Sequence, residues 1–336
     1  MTSGEANPDT SQLPTLDASE PGAAPGNAGR GEGLPDWYRP PGTDPAMGPP
    51  VEAAPVVAAP AAADELEAMP ARRRAGRGQV ITVVAGKPGT GKSTIAANVA
   101  CVIARDHHVT VAVVDLSLQF GDQALMFDAG SSPSMVDVLA NVDALTPEFL
   151  LECMHQAHGL RILGAPPSPE LADLVEAWHI RAIVDQLRLL FDFIVLDTSS
   201  HLSDISLEAI DQADSLLVVT TPYLASVKDT KLLLKTMSDL GVPAPKLTTV
   251  LNRMEPAIKM GLDVLEANLK FPIAAELPHV PGLLVSSVTD GVPLALSKPN
   301  SEWGQRIATL GKMVVTASSD ADARKPKRGF LLGRSK

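Results

Sequence analysis

The chain has 336 residues, of which 45% are hydrophobic and 20% charged, and carries a formal net charge of −11. That is enough apolar material for a sizeable core, while the acidic balance argues against a broad phosphate-binding surface for DNA. The two cysteines, Cys101 and Cys153, lie far apart with no C-x-x-C and indicate neither a disulfide framework nor a zinc site.

The composition is uneven. Residues 1–78 hold 13 Pro, 10 Gly and 16 Ala, half of that segment, with Trp37 and Tyr38 as its only large aromatics. Such a stretch cannot bury enough apolar surface to offset its ordering entropy, so it reads as a disordered arm ending in the basic linker ARRRAGRG (71–78). Within it, DWYRPPG (36–42) is a candidate partner-binding motif. No basic n-region precedes an apolar run and no stretch of about 18 apolar residues occurs, so the expectation is a cytoplasmic protein. Its single folded domain is expected over 79–320, followed by a tail, 321–336.

From residue 79 the texture changes. QVITVVAG (79–86) is a short β-branched strand, and STIAANVACVIA (93–104) is an apolar-periodic helix. TVAVVDL (110–116) is a second strand, followed by helical pieces at 134–140 and 147–157, the latter with Thr146 as cap and Pro147 in the first helical position. LRILGAP (160–166) is a third strand, a helix covers 170–190, and FDFIVLDTS (191–199) is a further apolar strand. Helix 203–213 with Ser203 as cap, strand 215–221, helix 224–240, strand 246–253, helix 261–269, strand 271–277 and helices 281–290 and 301–316 complete the pattern. Unbroken Val/Ile/Leu strands alternating with amphipathic helices predict an α/β fold, a mostly parallel sheet with helices on both faces. Ligands of such sheets sit beyond the carboxyl ends of the strands, which directs attention to the residues after 85, 114, 196 and 251.

GKPGTGKST (86–94) satisfies G-x-x-x-x-G-K-[ST] through Gly86, Gly91, Lys92 and Ser93, directly between a strand and a helix. In such a P-loop the backbone from Gly86 through Pro88, Gly89, Thr90 and Gly91 to Thr94 cradles phosphates, Lys92 contacts the β- and γ-phosphates, and Ser93 ligates Mg²⁺. ATP and Mg²⁺ are therefore the expected cofactors. Asp115 ends one strand in VVDLSLQFGD (113–122) and Asp197 ends another in IVLDTSS (194–200). Four apolar residues followed by Asp resemble the Walker B pattern, with Asp197 as the candidate holder of the Mg²⁺ shell and Asp115 as a candidate catalytic carboxylate. His107, His108, His155, His158, His179, His201 and His279 show no metal-ligand spacing, though His201 closely follows the Walker B pattern and is a candidate nucleotide sensor.

The loop K-x-G-x-G-K-[ST], with Lys87 as a second cation, resembles the deviant Walker A of the MinD/ParA family. DLSLQFGDQAL (115–125), LGAPPSPELAD (163–173), FDFIVLDTSSHLSD (191–204) and LLVVTTPYLASVKDTKLLL (216–234) resemble its CpaE/TadZ branch, over roughly 79–316. That resemblance implies a P-loop ATPase that dimerises with ATP sandwiched between subunits. It implies that Lys87 reaches the partner's phosphates, that Asn252 contacts the adenine edge and that Pro278 lies in the loop over the base. It further implies a localisation factor for Tad-type pilus assembly that works with assembly ATPases or polar landmark proteins at the inner membrane or cell pole.

The chain departs from this pattern at three places. Pro88 stands where the family usually has Gly and removes one N–H. Ser117 replaces the second Asp of D-x-D, which predicts slow hydrolysis or a non-hydrolysing scaffold. The arm stands where a receiver-like domain is usual. The tail ARKPKRGFLLGRSK (323–336), with six basic residues beside Phe330, Leu331 and Leu332, is a candidate weak membrane contact interrupted by Pro326, Gly329 and Gly333. A DNA-segregation ATPase is disfavoured by the acidic core, and a tyrosine kinase by the absence of a Tyr cluster, Tyr38 and Tyr223 being the only tyrosines.

Overall fold

The computed structural model describes residues 77–253 and 260–324, with side chains through 317. Most of the N-terminal arm, including DWYRPPG, and most of the basic tail lie outside the described residues.

Eight strands form one sheet. They are β1 (Gln79–Val84), β2 (Val111–Leu116), β3 (His155–Ala157), β4 (Leu160–Leu163), β5 (Phe193–Thr198), β6 (Ser215–Thr220), β7 (Leu247–Asn252) and β8 (Ala275–Leu277). Their order is β3-β4-β2-β5-β1-β6-β7-β8. Every pairing is parallel except β3 with β4. The helices that matter for the site are α1 (Lys92–His107), α2 (Gln123–Met126) and, following β5, α3 (Asp204–Gln212). With them belong α4 (Leu224–Asp239) after β6 and the last helix, α5 (Glu302–Arg324).

Strand alternation explains why the sheet is covered twice. Ile81, Val83, Val113, Val195, Leu217 and Val219 face one cluster, completed by Ile95 and Val99 of α1 and by Trp303, Ile307 and Leu310 of α5. The intervening Val80, Ala112, Val114, Ile194 and Leu196 face the other side, under Ile180, Ile183 and Leu187 of the helix Ala177–Leu190. There Val84, Leu216 and Val218 meet Leu233, Leu234 and Met237 of α4. Both faces of each central strand are apolar because both are buried.

Several elements differ from their sequence reading, and the last helix, expected over 301–316, runs on to Arg324. The helix expected over 147–157 stops at Glu152, and His155–Ala157 pairs antiparallel with β4. The turn between them is His158-Gly159, both at positive φ (49° and 79°), which is the type I′ geometry that joins two twisted strands. The helix expected over 170–190 is two pieces, Pro169–Ala172 and Ala177–Leu190. Glu176, in extended backbone, caps the second piece and donates its N–H to His179 Nδ1 at 2.9 Å, which interrupts the helical path. The strand expected over 271–277 is confined to Ala275–Leu277. The caps at Thr146 and Ser203 are present, accepting from Phe149 N and Ser206 N at 3.3 Å each.

The amino ends of the strands are tied by a buried ion pair. Arg188 donates to Asp214 Oδ2 at 2.6 Å and to the carbonyls of Gly78 and Gln212, while Asp214 Oδ2 accepts the Val80 N–H at 3.0 Å. Removing the guanidinium takes the opposite charge from the Asp214 carboxylate in a nearly buried position. Arg188→Ala is therefore expected to lower unfolding free energy by about 3–5 kcal/mol. Chemical denaturation would check this, and a loss under 1 kcal/mol would contradict it.

Candidate functional site

The same alternation that covers the sheet aims its acids. Asp115 and Asp197 are the fifth residues of β2 and β5 and lie directly opposite each other in the parallel register. They share the parity of Val113 and Val195, so both side chains stand on the α1 face near the carboxyl ends of the strands. Both are fully buried.

The loop between β1 and α1 is shaped by what a side chain could not tolerate. Gly91 sits at φ 85° as the N-cap of α1, and a Cβ there would come within 2.5 Å of Asn252 Nδ2. A Cβ on Gly86 would lie 2.6 Å from the backbone of Asp229 in α4. Helix α1 begins with no side-chain cap and no acid in its first turn, so its free N–H groups and positive dipole end are open to an anion. Thr90 is buried in the loop, and its Oγ1 has no hydrogen-bond partner among the described residues. Pro88 and Gly89 are exposed at the loop crest, Gly89 at φ 73°.

Lys92 is buried at the start of α1 and donates to Ser200 Oγ at 3.0 Å. Burial pulls its ammonium below the ordinary value, and Asp197 and then Asp115 oppose that shift. Around the acids, Asp115 accepts the Ser117 N–H at 3.0 Å on one oxygen and the Gln123 N–H at 2.9 Å on the other. The Gln123 side chain donates through Nε2 to Asp197 Oδ2 at 2.9 Å and to the Ser93 carbonyl at 3.0 Å. Asp197 Oδ1 and Gln123 Oε1 are buried with no hydrogen-bond partner among the described residues. Burial raises both carboxyls above the usual carboxylate range. For Asp115 the neighbouring Asp197 adds to the rise, and for Asp197 the Gln123 amide, the Ser93 hydroxyl and Lys92 work against it.

The remaining residues singled out in the sequence fall around this centre. Lys87 is half-exposed at the loop mouth, its Nζ 4.0 Å from Asp229 Oδ2. Asn252 ends β7 and donates Nδ2 to the Thr90 carbonyl at 2.9 Å, so its amide nitrogen braces the loop. Pro278 follows Leu277, the β8 residue in register with Asn252. Ser117 Oγ donates to the Thr198 carbonyl at 3.3 Å, joining the ends of β2 and β5. His201 is exposed, and its backbone meets Ser199 Oγ at 3.4 Å. No group of three or more His, Cys, Asp or Glu residues arranged for a metal occurs among the described residues.

Sequence reasoning passed over Gln123, Ser200 and Asp229. All three stand in segments that had been singled out, DLSLQFGDQAL, FDFIVLDTSSHLSD and LLVVTTPYLASVKDTKLLL, but nothing in their type marked them.

A glycine-shaped loop over an open helix N-terminus, a buried lysine and two strand-end carboxylates define the site of a P-loop nucleotide-binding protein. Residues 81–286 match the family described as the CobQ/CobB/MinD/ParA nucleotide binding domain, and the chain belongs to that family. It is 28% identical to the septum site-determining protein MinD of Thermotoga maritima over 245 residues, covering 70% of this chain and 88% of that protein. The fold superposes on a ParA family ATPase from Chlorobium tepidum with a TM-score of 0.66 at 24% identity, over 70% of this chain and 98% of that one. It also superposes on the MinD of Pyrococcus horikoshii in complex with Mg-ADP, with a TM-score of 0.63 at 20% identity, over 72% and 98% of the two chains. No described helix is long and apolar enough to cross a membrane.

The carboxyl shifts carry a pH consequence. Raised values mean that the folded chain holds protons more firmly than the unfolded chain above the ordinary carboxylate range. Stability should therefore fall as pH rises through that interval. Asp197→Asn keeps an acceptor toward Gln123 and removes one of two facing charges. Without nucleotide it is expected to melt above the wild type near pH 8, by about 2–4 °C for each kcal/mol relieved. Melting curves from about pH 6 to about 8.5 would check this, and a variant melting lower throughout would show the charge to be stabilising.

Proposed function

We propose that the chain is an ATP-dependent switch that dimerises with its nucleotide enclosed between two copies and positions the components of an envelope machine. In this reading Gly86–Thr94 cradles the phosphates and Lys92 neutralises the β- and γ-phosphates. Ser93 and Asp197 hold Mg²⁺, and Asn252 and Pro278 border the base. Lys87 and Asp115 complete the reacting centre, Lys87 acting across the dimer. The orphaned acceptor on Asp197, the orphaned Thr90 hydroxyl and the uncapped start of α1 suit a bound Mg-nucleotide. So does the Mg-ADP carried by the Pyrococcus horikoshii relative.

The observation that carries the dimer is the rim of the site. Phe120 (79% exposed), Leu202, Tyr223 and Leu224 (76% exposed) all follow carboxyl ends of strands, as does the loop that carries the half-exposed Lys87. Exposed large side chains and a half-exposed cation at the same end of the sheet suit burial against a second copy, where the phosphates supply counter-charge. The segments resembling the CpaE/TadZ branch favour Tad-type pilus assembly as the machine. Assembly ATPases or polar landmark proteins would be the partners, and the cytoplasmic side of the inner membrane or a cell pole the place of action. Positioning of another cargo is the second reading, favoured by the likeness to septum-site proteins.

Turnover in this reading is slow. Ser117 is the residue where a second carboxylate would assist the attacking water, and its hydroxyl is engaged with the Thr198 carbonyl. A serine there has no base of useful strength.

Sedimentation with and without ATP tests the switch. Wild type is expected to shift to a dimer with ATP and Mg²⁺, Lys87→Ala to bind nucleotide yet stay monomeric, and Lys92→Ala to lose nucleotide binding. Wild type that binds ATP without dimerising would overturn the sandwich. Turnover assays address the serine: Ser117→Asp is expected to raise the rate by about tenfold or more, and an unchanged rate would place the limiting step elsewhere.

A further inference from the structure

Gln123 is wholly buried, although Leu or Met would fill its place without any polar group to satisfy. Its amide orientation is set by chemistry, because the end facing Asp197 Oδ2 and the Ser93 carbonyl meets two acceptors and must be the nitrogen. Oε1 is therefore the free end, and it is buried without a partner among the described residues. Asp197 Oδ1 is in the same condition. These two oxygens belong to side chains joined by the Gln123–Asp197 hydrogen bond. Dehydrated acceptors on two linked side chains form a poor site for an anion and a good one for donors, above all the polarised waters of a divalent cation.

The connections of Gln123 support a positioning role rather than simple filling. Its backbone N–H holds Asp115, and its side chain holds Asp197 and the first turn of α1 through the Ser93 carbonyl. One residue thus ties the ends of β2 and β5 to the phosphate loop. With Ser117 spent on the Thr198 carbonyl, Gln123 is an uncharged side chain that both holds Asp197 and keeps a buried acceptor without a partner among the described residues.

We infer that Gln123 is a positioning residue for the divalent cation. Its Nε2 turns Asp197 so that Oδ1 meets the cation's shell, and its Oε1 accepts from a water of that shell. The inference rests on reading the site as one for a Mg-nucleotide.

The test is a titration of Mg²⁺ into the protein complexed with a fluorescent N-methylanthraniloyl ADP, beside nucleotide affinity in excess EDTA. Gln123→Met keeps size and removes both functions. It is expected to weaken Mg²⁺ affinity by about tenfold or more, with metal-free ADP affinity changed less than about twofold. Gln123→Glu puts an acceptor where Nε2 donates to Asp197 Oδ2 and the Ser93 carbonyl, and is expected to weaken Mg²⁺ affinity as well. Unchanged Mg²⁺ affinity in both variants would overturn the inference. So would equal losses with and without metal, or failure of both variants to fold, since each marks a purely structural amide. Wild type that binds no ADP, or binds it without regard to Mg²⁺, would instead sink the nucleotide reading itself.

Discussion

Asp115 and Asp197 stand opposite each other on adjacent parallel strands, fully buried and on the same face. Like charges in direct cross-strand register repel, and burial makes each charge expensive on its own. Much of the local structure answers that conflict. Two backbone N–H groups bind Asp115, the Gln123 amide binds Asp197, and the Lys92 ammonium lies close enough to act on both. The compensation is incomplete, because both carboxyls remain shifted upward and Asp197 keeps an unpaired oxygen. A multivalent cation is the natural completion of such a pair. A ligand that brings such a cation and binds only the folded chain would stabilise it by mass action.

The two ends of the sheet are built on opposite principles. At the amino end, Arg188 and Asp214 gather backbone donors and acceptors from β1 and the segment before β6 into a nearly dry network built on opposite charges. At the carboxyl end, α1 starts without a side-chain cap, and the buried Thr90 hydroxyl and one oxygen each of Asp197 and Gln123 have no hydrogen-bond partner among the described residues, beside two acids of like charge. Buried polar groups are normally satisfied in folded proteins, so these groups suit a ligand that supplies donors and positive charge. Asn252 braces the loop at the Thr90 carbonyl, and Gly86 lets it approach the backbone of α4.

The parallel sheet was legible in the sequence because burial on both faces leaves strands with unbroken apolar runs, and the phosphate loop because its glycines recur at fixed spacing. Asp115 and Asp197 were legible for the same reason: each interrupts such a run at its end. What was not legible depended on local geometry or on distant contacts. The His158-Gly159 turn converts an apparent helix end into a hairpin through two positive φ angles, a property only weakly encoded by histidine. Glu176 breaks a long amphipathic stretch by capping the second half against His179, and acid residues inside a helix carry no such signal by composition. Gln123 was unmarked because its significance lies in Ser93, Asp115 and Asp197, which are brought to it by helix α1 and strands β2 and β5. No spacing rule can express that convergence.

Ser117 is best understood against the same electrostatic conflict. A third carboxylate two residues after Asp115 would face the Thr198 carbonyl and stand beside a pair of acids already short of positive charge. The serine instead donates a hydrogen bond that draws the ends of β2 and β5 together. The substitution therefore trades a base for a brace. It lowers the repulsion that the nucleotide-free chain must bear and lowers the driving force for water activation along with it. A protein whose task is to remain assembled while nucleotide is bound gains from both effects. A protein whose task is rapid cycling would gain from neither.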